Sequence, residues 1–256
     1  MTSNEMAGML AWPVALGVLG GLVGSFIAVL AIRWPQGRSV VGGRSACDAC
    51  GHTVRARDLV PVASALALRG RCRDCGAVID PRHVAIEGAA LMIGALAGWV
   101  APGGEGAAGA VFGWLLLALA ALDVEALWLP DRLTVPLAAA GLLGGALGLD
   151  PALPDRAVGG LAGFAALWLI AAGYRRVRGR HGLGGGDPKL LGAIGLWLGW
   201  RMLPPVLLIA SLTGLAVVTW RHATGRPVAR DDALPFGALL AIAAYPAWLA
   251  MVWLRP

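Results

Sequence analysis

Six side chains in this sequence have the types and spacing to do chemistry: the acids Asp123 and Asp187, and the thiols of Cys47, Cys50, Cys72 and Cys75. Asp187 closes the run Gly184-Gly185-Gly186 and stands before an apolar segment whose stretch Leu190 to Trp200 carries no charge. Asp123 ends the apolar run Val111 to Leu122. An ionised group beside hydrocarbon is costly and usually functional. Two carboxylates brought together in a low-dielectric cleft cannot both ionise, so one keeps a proton while the other stays charged. Such a pair can activate water with one member and protonate a reacting carbonyl with the other. That is amide hydrolysis without a nucleophilic side chain. Gly184 and Gly186 supply a backbone that bends sharply and admits close approach.

Simpler readings of the same acids stay open. Asp187 followed by Pro188 fits a helix N-cap with proline at the first helical position. Asp131, in Leu129-Pro130-Asp131, looks like the cap of another helix and is a second candidate partner for Asp123. Asp123 could also be a cap, or a proton relay in a transporter. No Gly-x-Ser-x-Gly or zincin motif competes.

The cysteines form two C-x-x-C pairs, each followed directly by glycine (Gly51 and Gly76). Tight turns at that spacing aim two sulfurs at one point, and two such turns make a tetrahedral zinc site. Disulfides and a thioredoxin-like redox pair are the alternatives; a reducing compartment disfavours the first and the absence of a βαβ pattern the second. Four thiolates close the coordination sphere, so the zinc is expected to be structural. About fifty polar residues make a small core, and metal binding would supply much of its stability.

These groups need elements to hold them, and composition decides the class. Of 256 residues, 58% are hydrophobic and 14% charged, more apolar surface than a water-soluble domain of this length can hide. Apolar runs fall at 9–32, 84–100, 107–123, 133–149, 157–174, 188–202, 203–220 and 235–254. The expectation is an all-α polytopic membrane protein of about eight transmembrane helices, with a small zinc-ribbon-like insertion after the first. Its parts would be a first helix over 1–32, a zinc domain over 33–83 and a membrane core over 84–256. The run 188–202 is short for a straight span and Pro204-Pro205 divides it from the next, so the glycine run is expected to enter the membrane itself, facing protein and not lipid. The 38 glycines suit helices packed backbone to backbone. Alternate loops hold eighteen of the 21 Lys and Arg, leaving Arg156, Arg201 and Arg255 opposite. This bias puts the cysteines and Asp187 on the cytoplasmic side. The first apolar segment has no basic start and is too long for a cleaved signal, so it is read as an anchor. No internal repeat is visible.

Gly184-x-Gly186-Asp187 resembles the signature of the GxGD intramembrane aspartyl proteases, and the whole chain resembles a bacterial prepilin peptidase of the type IV leader peptidase family. The resemblance runs through Gly24-Ser25-Phe26, the two C-x-x-C pairs, Ile86-Glu87, Leu122-Asp123 with Leu129-Pro130-Asp131, Gly184 to Leu191, and Pro235-Phe236-Gly237. It implies that Asp123 and Asp187 are the catalytic pair and that eight spans is the architecture. The substrates would be prepilins or pseudopilins, cut at the cytoplasmic face of the bacterial inner membrane just before a hydrophobic segment. Nucleic acid is not an expected partner.

Many members of that family also methylate the new N-terminus with S-adenosylmethionine. Here the sequence departs from the pattern: Phe26-Ile27-Ala28-Val29 replaces the usual Phe-Leu-Asn-Val, and Arg82-His83-Val84 the usual Arg-Tyr-Pro, while Glu87 and Arg33 remain. No glycine-rich dinucleotide fingerprint is present to hold the donor. A proton-coupled carrier would need matched inverted halves, which are not seen. A zinc-ribbon scaffold without chemistry would tolerate loss of both acids. A basic leader would meet an arginine-rich face, so Asp48, Asp58, Asp74 and Asp80, or Glu125 with Asp231-Asp232, are candidates for a local acidic landing site.

Overall fold

A computed structural model describes residues 3–40, 42, 45–180, 182–225 and 233–255, with 3–9 as helix backbone only. Asp231 and Asp232 lie outside the described residues. The described chain forms helices α1 (Ser3–Arg33), α2 (Ala63–Ala67), α3 (Pro81–Val100), α4 (Gly104–Ala126), α5 (Asp131–Ala146), α6 (Leu153–Arg178), α7 (Asp187–Leu198), α8 (Leu203–Ala223) and α9 (Phe236–Trp253). Only 3₁₀ turns and two isolated bridges add to them among the described residues. Each apolar run read from the sequence carries a helix, though the run 188–202 yields only a short one. The starts follow local rules: α3, α6, α7 and α8 carry proline in their first two positions, where its missing N–H costs nothing.

Six of these helices are long and apolar enough to cross a membrane, namely α1, α3, α4, α6, α8 and α9. The 16 residues of α5 and the 12 of α7 are fewer. At 1.5 Å per residue α7 reaches only about 18 Å against a hydrocarbon core of about 30 Å. The run 188–202 ends at Gly199, whose φ of 70° breaks the helix before a 3₁₀ turn at Trp200–Met202. The division between the two runs is therefore at glycine. Pro204 and Pro205 lie inside the first turn of α8 instead.

The chain divides into two compact units, residues 1–118 and 119–256. In the first, α1 and α3 run antiparallel with backbones in contact. A Cβ added at Gly24 would lie 2.8 Å from the Glu87 Cα, and one at Gly98 would lie 2.6 Å from the Trp12 carbonyl carbon. Gly20 faces Ala90, and Gly94 faces Leu16, just as closely. Each step of four along α1 is matched by about four back along α3. The buried Trp114 indole of α4 donates to the Ala90 carbonyl at 2.9 Å.

In the second unit α7 is the buried element: ten of its residues are buried. Gly195 meets Gly159 of α6 backbone to backbone, and a Cβ at Gly141 of α5 would lie 2.8 Å from the Leu196 carbonyl oxygen. Small residues give this approach its dispersion energy, since lipid offers no hydrophobic drive between helices. The Trp197 indole donates to the Leu137 carbonyl at 2.8 Å. Arg156, 2% exposed, lies beneath them. Its guanidinium donates to the carbonyls of Pro151 (2.7 Å), Asp150 (2.7 Å), Gly141 (2.9 Å), Leu196 (3.0 Å) and Leu149 (3.2 Å).

Gly195→Ala should wedge α6 from α7, because its Cβ would fall on the Gly159 carbonyl and a backbone cannot move aside as a side chain can. A loss of about 1–3 kcal/mol is expected, read as a lower unfolding midpoint in detergent.

Candidate active site and metal centre

Both acids are buried, Asp123 at 4% exposure and Asp187 at 5%. Asp123 lies in the last turn of α4, and its Oδ2 accepts a hydrogen bond at 2.8 Å from the amide of Ala238, in the first turn of α9. That amide is one of the N–H groups a helix start leaves unpaired, and the positive end of the helix dipole favours an anion there. Asp187 is the first residue of α7, and its Oδ2 accepts from the amide of Gly184 at 2.9 Å. Asp187 is therefore not the cap the sequence suggested. The N-cap is Gly186, with no side-chain cap bond, and the Asp187 carboxylate reaches back to the glycine run instead.

Leu129 brings the two acids together. A Cβ at Gly186 would lie 2.6 Å from the Leu129 Cβ, and one at Gly237 would lie 2.7 Å from the Leu129 Cδ1 and 3.0 Å from Asp123 Oδ2. The glycine before Asp187 and the glycine before Ala238 thus close on one side chain. The chain reaches Leu129 through Leu127, which ends α4 with a φ of 51°, a left-handed position usually given to glycine. Gly186 itself has an ordinary helical φ of −82°, so it is glycine for closeness alone.

Asp131 is the first residue of α5, after an N-cap at Pro130, and makes no cap of its own. Its carboxylate accepts from Lys189 Nζ at 2.7 and 2.9 Å, tying the start of α5 to the start of α7. Both side chains are about half exposed. They stand at the head of an apolar groove of about 520 Å³, lined further along by Val135, Leu142, Phe164 and Leu196. Sequence reasoning counted Arg156 only as a loop charge between two apolar runs, and nothing along the chain marked it for burial. Its five carbonyl partners mark it as structural. The acids differ: one amide each leaves most of a carboxylate's acceptor capacity for water and substrate.

The four cysteine sulfurs lie within 4.8 Å of one another. Each knuckle is built alike: Cys47 N donates to His52 O and Gly51 N to Cys47 O, as Cys72 N does to Ala77 O and Gly76 N to Cys72 O. Gly51 and Gly76 have φ of 71° and 72°. The second knuckle repeats the first bond for bond, as the two C-x-x-C-Gly units in the sequence lead one to expect. Four converging sulfurs are the donor set of a closed tetrahedral metal site.

The acids proposed as a landing site are already partnered. Asp48 pairs with Arg38 and Asp74 with Arg55, both at 3.4 Å, while Asp80 pairs with Arg82. Asp58 accepts from Arg73 Nη2 at 2.7 Å and Nε at 3.0 Å. That guanidinium holds the Asp58 carboxyl below the usual carboxylate range.

The family model for the Bacterial Peptidase A24 N-terminal domain matches residues 18–101, and that for the Type IV leader peptidase family matches residues 110–219. A "Prepilin leader peptidase/N-methyltransferase" of Burkholderia pseudomallei strain K96243 is 43% identical, over 88% of this chain and 81% of its own length. One from Aeromonas hydrophila is 40% identical over 82% and 71%, and one from Pseudomonas aeruginosa 34% over 95% and 91%. The chain belongs to the type IV leader peptidase family. With its long apolar helices, it is a multi-pass membrane protein. No solved structure matches it.

The Leu129 contact makes a graded prediction. Gly186→Ala should displace the start of α7 and abolish most peptide cleavage, while Gly185→Ala, with nothing within 4 Å of its Cβ, should be tolerated. Adding Leu129→Ala to Gly186→Ala should restore part of the rate, as measured on a precursor peptide in detergent.

Proposed function

We propose that this chain is an intramembrane aspartic endopeptidase that removes the short basic leader from prepilins or pseudopilins, with Asp123 and Asp187 as its catalytic pair. The observation that carries the reading is that Gly186, directly before Asp187, and Gly237, beside Asp123, both close on Leu129, while each buried carboxylate accepts from a backbone amide. The ionised carboxylate takes a proton from water as the oxygen attacks the scissile carbonyl carbon. The protonated partner donates to the carbonyl oxygen. When the tetrahedral adduct collapses, the C–N bond breaks and the leaving amine takes up a proton from the pair. The fixed amides orient both acids before substrate arrives, so little reorganisation is left for the reaction itself. Arginine-rich loops on one side support a cytoplasmic location for the zinc domain and both acids.

Zinc would be held by Cys47, Cys50, Cys72 and Cys75 and would fold residues 33–83 without taking part in cleavage, since four thiolates leave no open position. The names of the relatives support a second activity, N-methylation of the new N-terminus with S-adenosylmethionine as donor.

Asp123→Asn and Asp187→Asn should each abolish cleavage, leaving expression and zinc content near wild type. Asp131→Asn, which loses only an exposed ion pair, should cost under about 1 kcal/mol and keep the chemistry. Either catalytic variant working at the wild-type rate would end the aspartyl mechanism.

Cys47→Ser or Cys72→Ser should lower metal content and the unfolding midpoint together. Full metal retention in both, measured by mass spectrometry of purified protein, would contradict the four-thiolate site.

A further inference from the structure

The loop between α6 and α7 carries the amide that holds Asp187, and little else fixes it. Among the described residues from Arg180 to Gly185, only Gly184 takes part in backbone–backbone hydrogen bonding, its carbonyl accepting from the Asp187 amide at 3.3 Å. Contacts at two glycines do the placing. At the far end Gly186 closes on Leu129. At the near end a Cβ on Gly182 would lie 2.6 Å from both Cδ1 and Cε1 of Tyr174, and 3.1 Å from its Cγ. Carbon atoms normally stay about 3.5–4.0 Å apart, so the Gly182 backbone is seated directly against the ring. Gly184, whose amide donates to Asp187, stands midway between the two seats, two residues from each.

Reaching Tyr174 takes a reversal of the chain. Tyr174 lies four residues before the end of α6, and the helix continues to Arg178 before Gly179 caps it with a φ of 68°. A left-handed residue there turns the chain back. Helical side chains lean toward the helix N-terminus, so the loop has to fold back along α6 for Gly182 to meet the ring. Gly182 has no positive φ, and closeness to the ring is what calls for glycine there. A tyrosine near the end of a membrane helix is ordinarily an interfacial anchor whose ring faces headgroups. Here the ring is 37% exposed, and a loop backbone covers part of it. The contact falls on ring carbons and not on the hydroxyl.

We propose that Tyr174 is a positioning residue for the cleavage reaction: its ring seats Gly182 and so holds the Gly184 amide where Asp187 can use it. The inference rests on the aspartyl reading above and adds a residue of α6 that acts through the loop backbone. Three short links carry the effect, from ring to Gly182, from Gly182 along two peptide units to Gly184, and from the Gly184 N–H to Asp187 Oδ2. The helix bearing the ring also meets α7 backbone to backbone at Gly159 and Gly195, so seat and acid share one support. Without the ring the stretch 180–185 is held only by its ends. A displacement of about 1 Å at a catalytic group can cost about a hundredfold in rate.

The test compares steady-state cleavage of a precursor peptide by the full-length protein in detergent, for Tyr174→Ala, Tyr174→Phe and Gly182→Ala. Tyr174→Ala removes the seat, and Gly182→Ala forces the loop off it. Each should lower kcat about ten- to a hundredfold and leave KM unchanged, with zinc content and unfolding midpoint near wild type. Tyr174→Phe, which keeps the ring carbons, should retain most of the wild-type kcat. Wild-type kcat in a folded Tyr174→Ala would overturn the assignment; if that variant does not fold, Gly182→Ala decides in its place. A Tyr174→Phe variant as impaired as Gly182→Ala would also overturn it, because the hydroxyl and not the ring would then be the working part. So would a loss confined to KM, which would make the ring a holder of substrate and not of the loop. Asp187→Asn, measured alongside, separates the two readings. If it cleaves at the wild-type rate, the aspartyl reading falls and this inference with it; an inactive Asp187→Asn beside fully active Tyr174 and Gly182 variants sinks the inference alone.

Discussion

Buried charge in an apolar helical unit has to be met by backbone, and residues 119–256 are arranged around three such charges. Asp123 and Asp187 take amides at or just before helix starts, and Arg156 takes carbonyls near helix ends and in the turn before α6. Each sign meets the end of the helix dipole that favours it. Water is scarce at such depths, so an unmet charge would cost several kcal/mol. The three groups therefore dictate where α4, α5, α7 and α9 begin and end. They also divide the work, the arginine being saturated by five carbonyls and the acids left open for chemistry.

Close approach is the second requirement, and glycine meets it in two ways. Gly195 against Gly159 lets two helices share a backbone contact, which builds the scaffold. Gly186 and Gly237 against Leu129 bring two loops onto one side chain, which builds the site. The short helix α7 joins the two functions: ten of its residues are buried, and its first residue is an acid of the site. A helix of that length gains little from lipid and depends on its neighbours. The precision of Asp187 is thereby tied to the packing of α5 and α6.

The knuckle region follows a different economy. It has few apolar residues to bury, and it organises itself by sulfur, by paired turns and by arginine–aspartate bridges across its surface. Those bridges consume the acids that the sequence offers to a basic substrate.

Much was legible in the sequence because some constraints are local or nearly so. Twenty apolar residues must be a helix in a membrane, and a proline tells where several helices begin. Two C-x-x-C-Gly units must be knuckles, since the turn that converges the sulfurs needs a left-handed residue just after. An acid at the edge of each of two apolar runs marks Asp123 and Asp187 as exceptional. Tertiary structure alone decided the rest. Asp187 and Asp131 both have the local look of caps, yet neither caps its helix, because the better partners were Gly184 and Lys189, and only packing brings the lysine near. The role of Leu129, which no periodicity marks, exists only when the segments around residues 129, 186 and 237 meet. The register that sets Gly24 against Glu87 and Gly20 against Ala90 is likewise invisible along the chain, since it depends on two helices meeting at their glycines. Sequence determined which groups were too costly to bury without purpose; the fold determined which backbone groups would meet them.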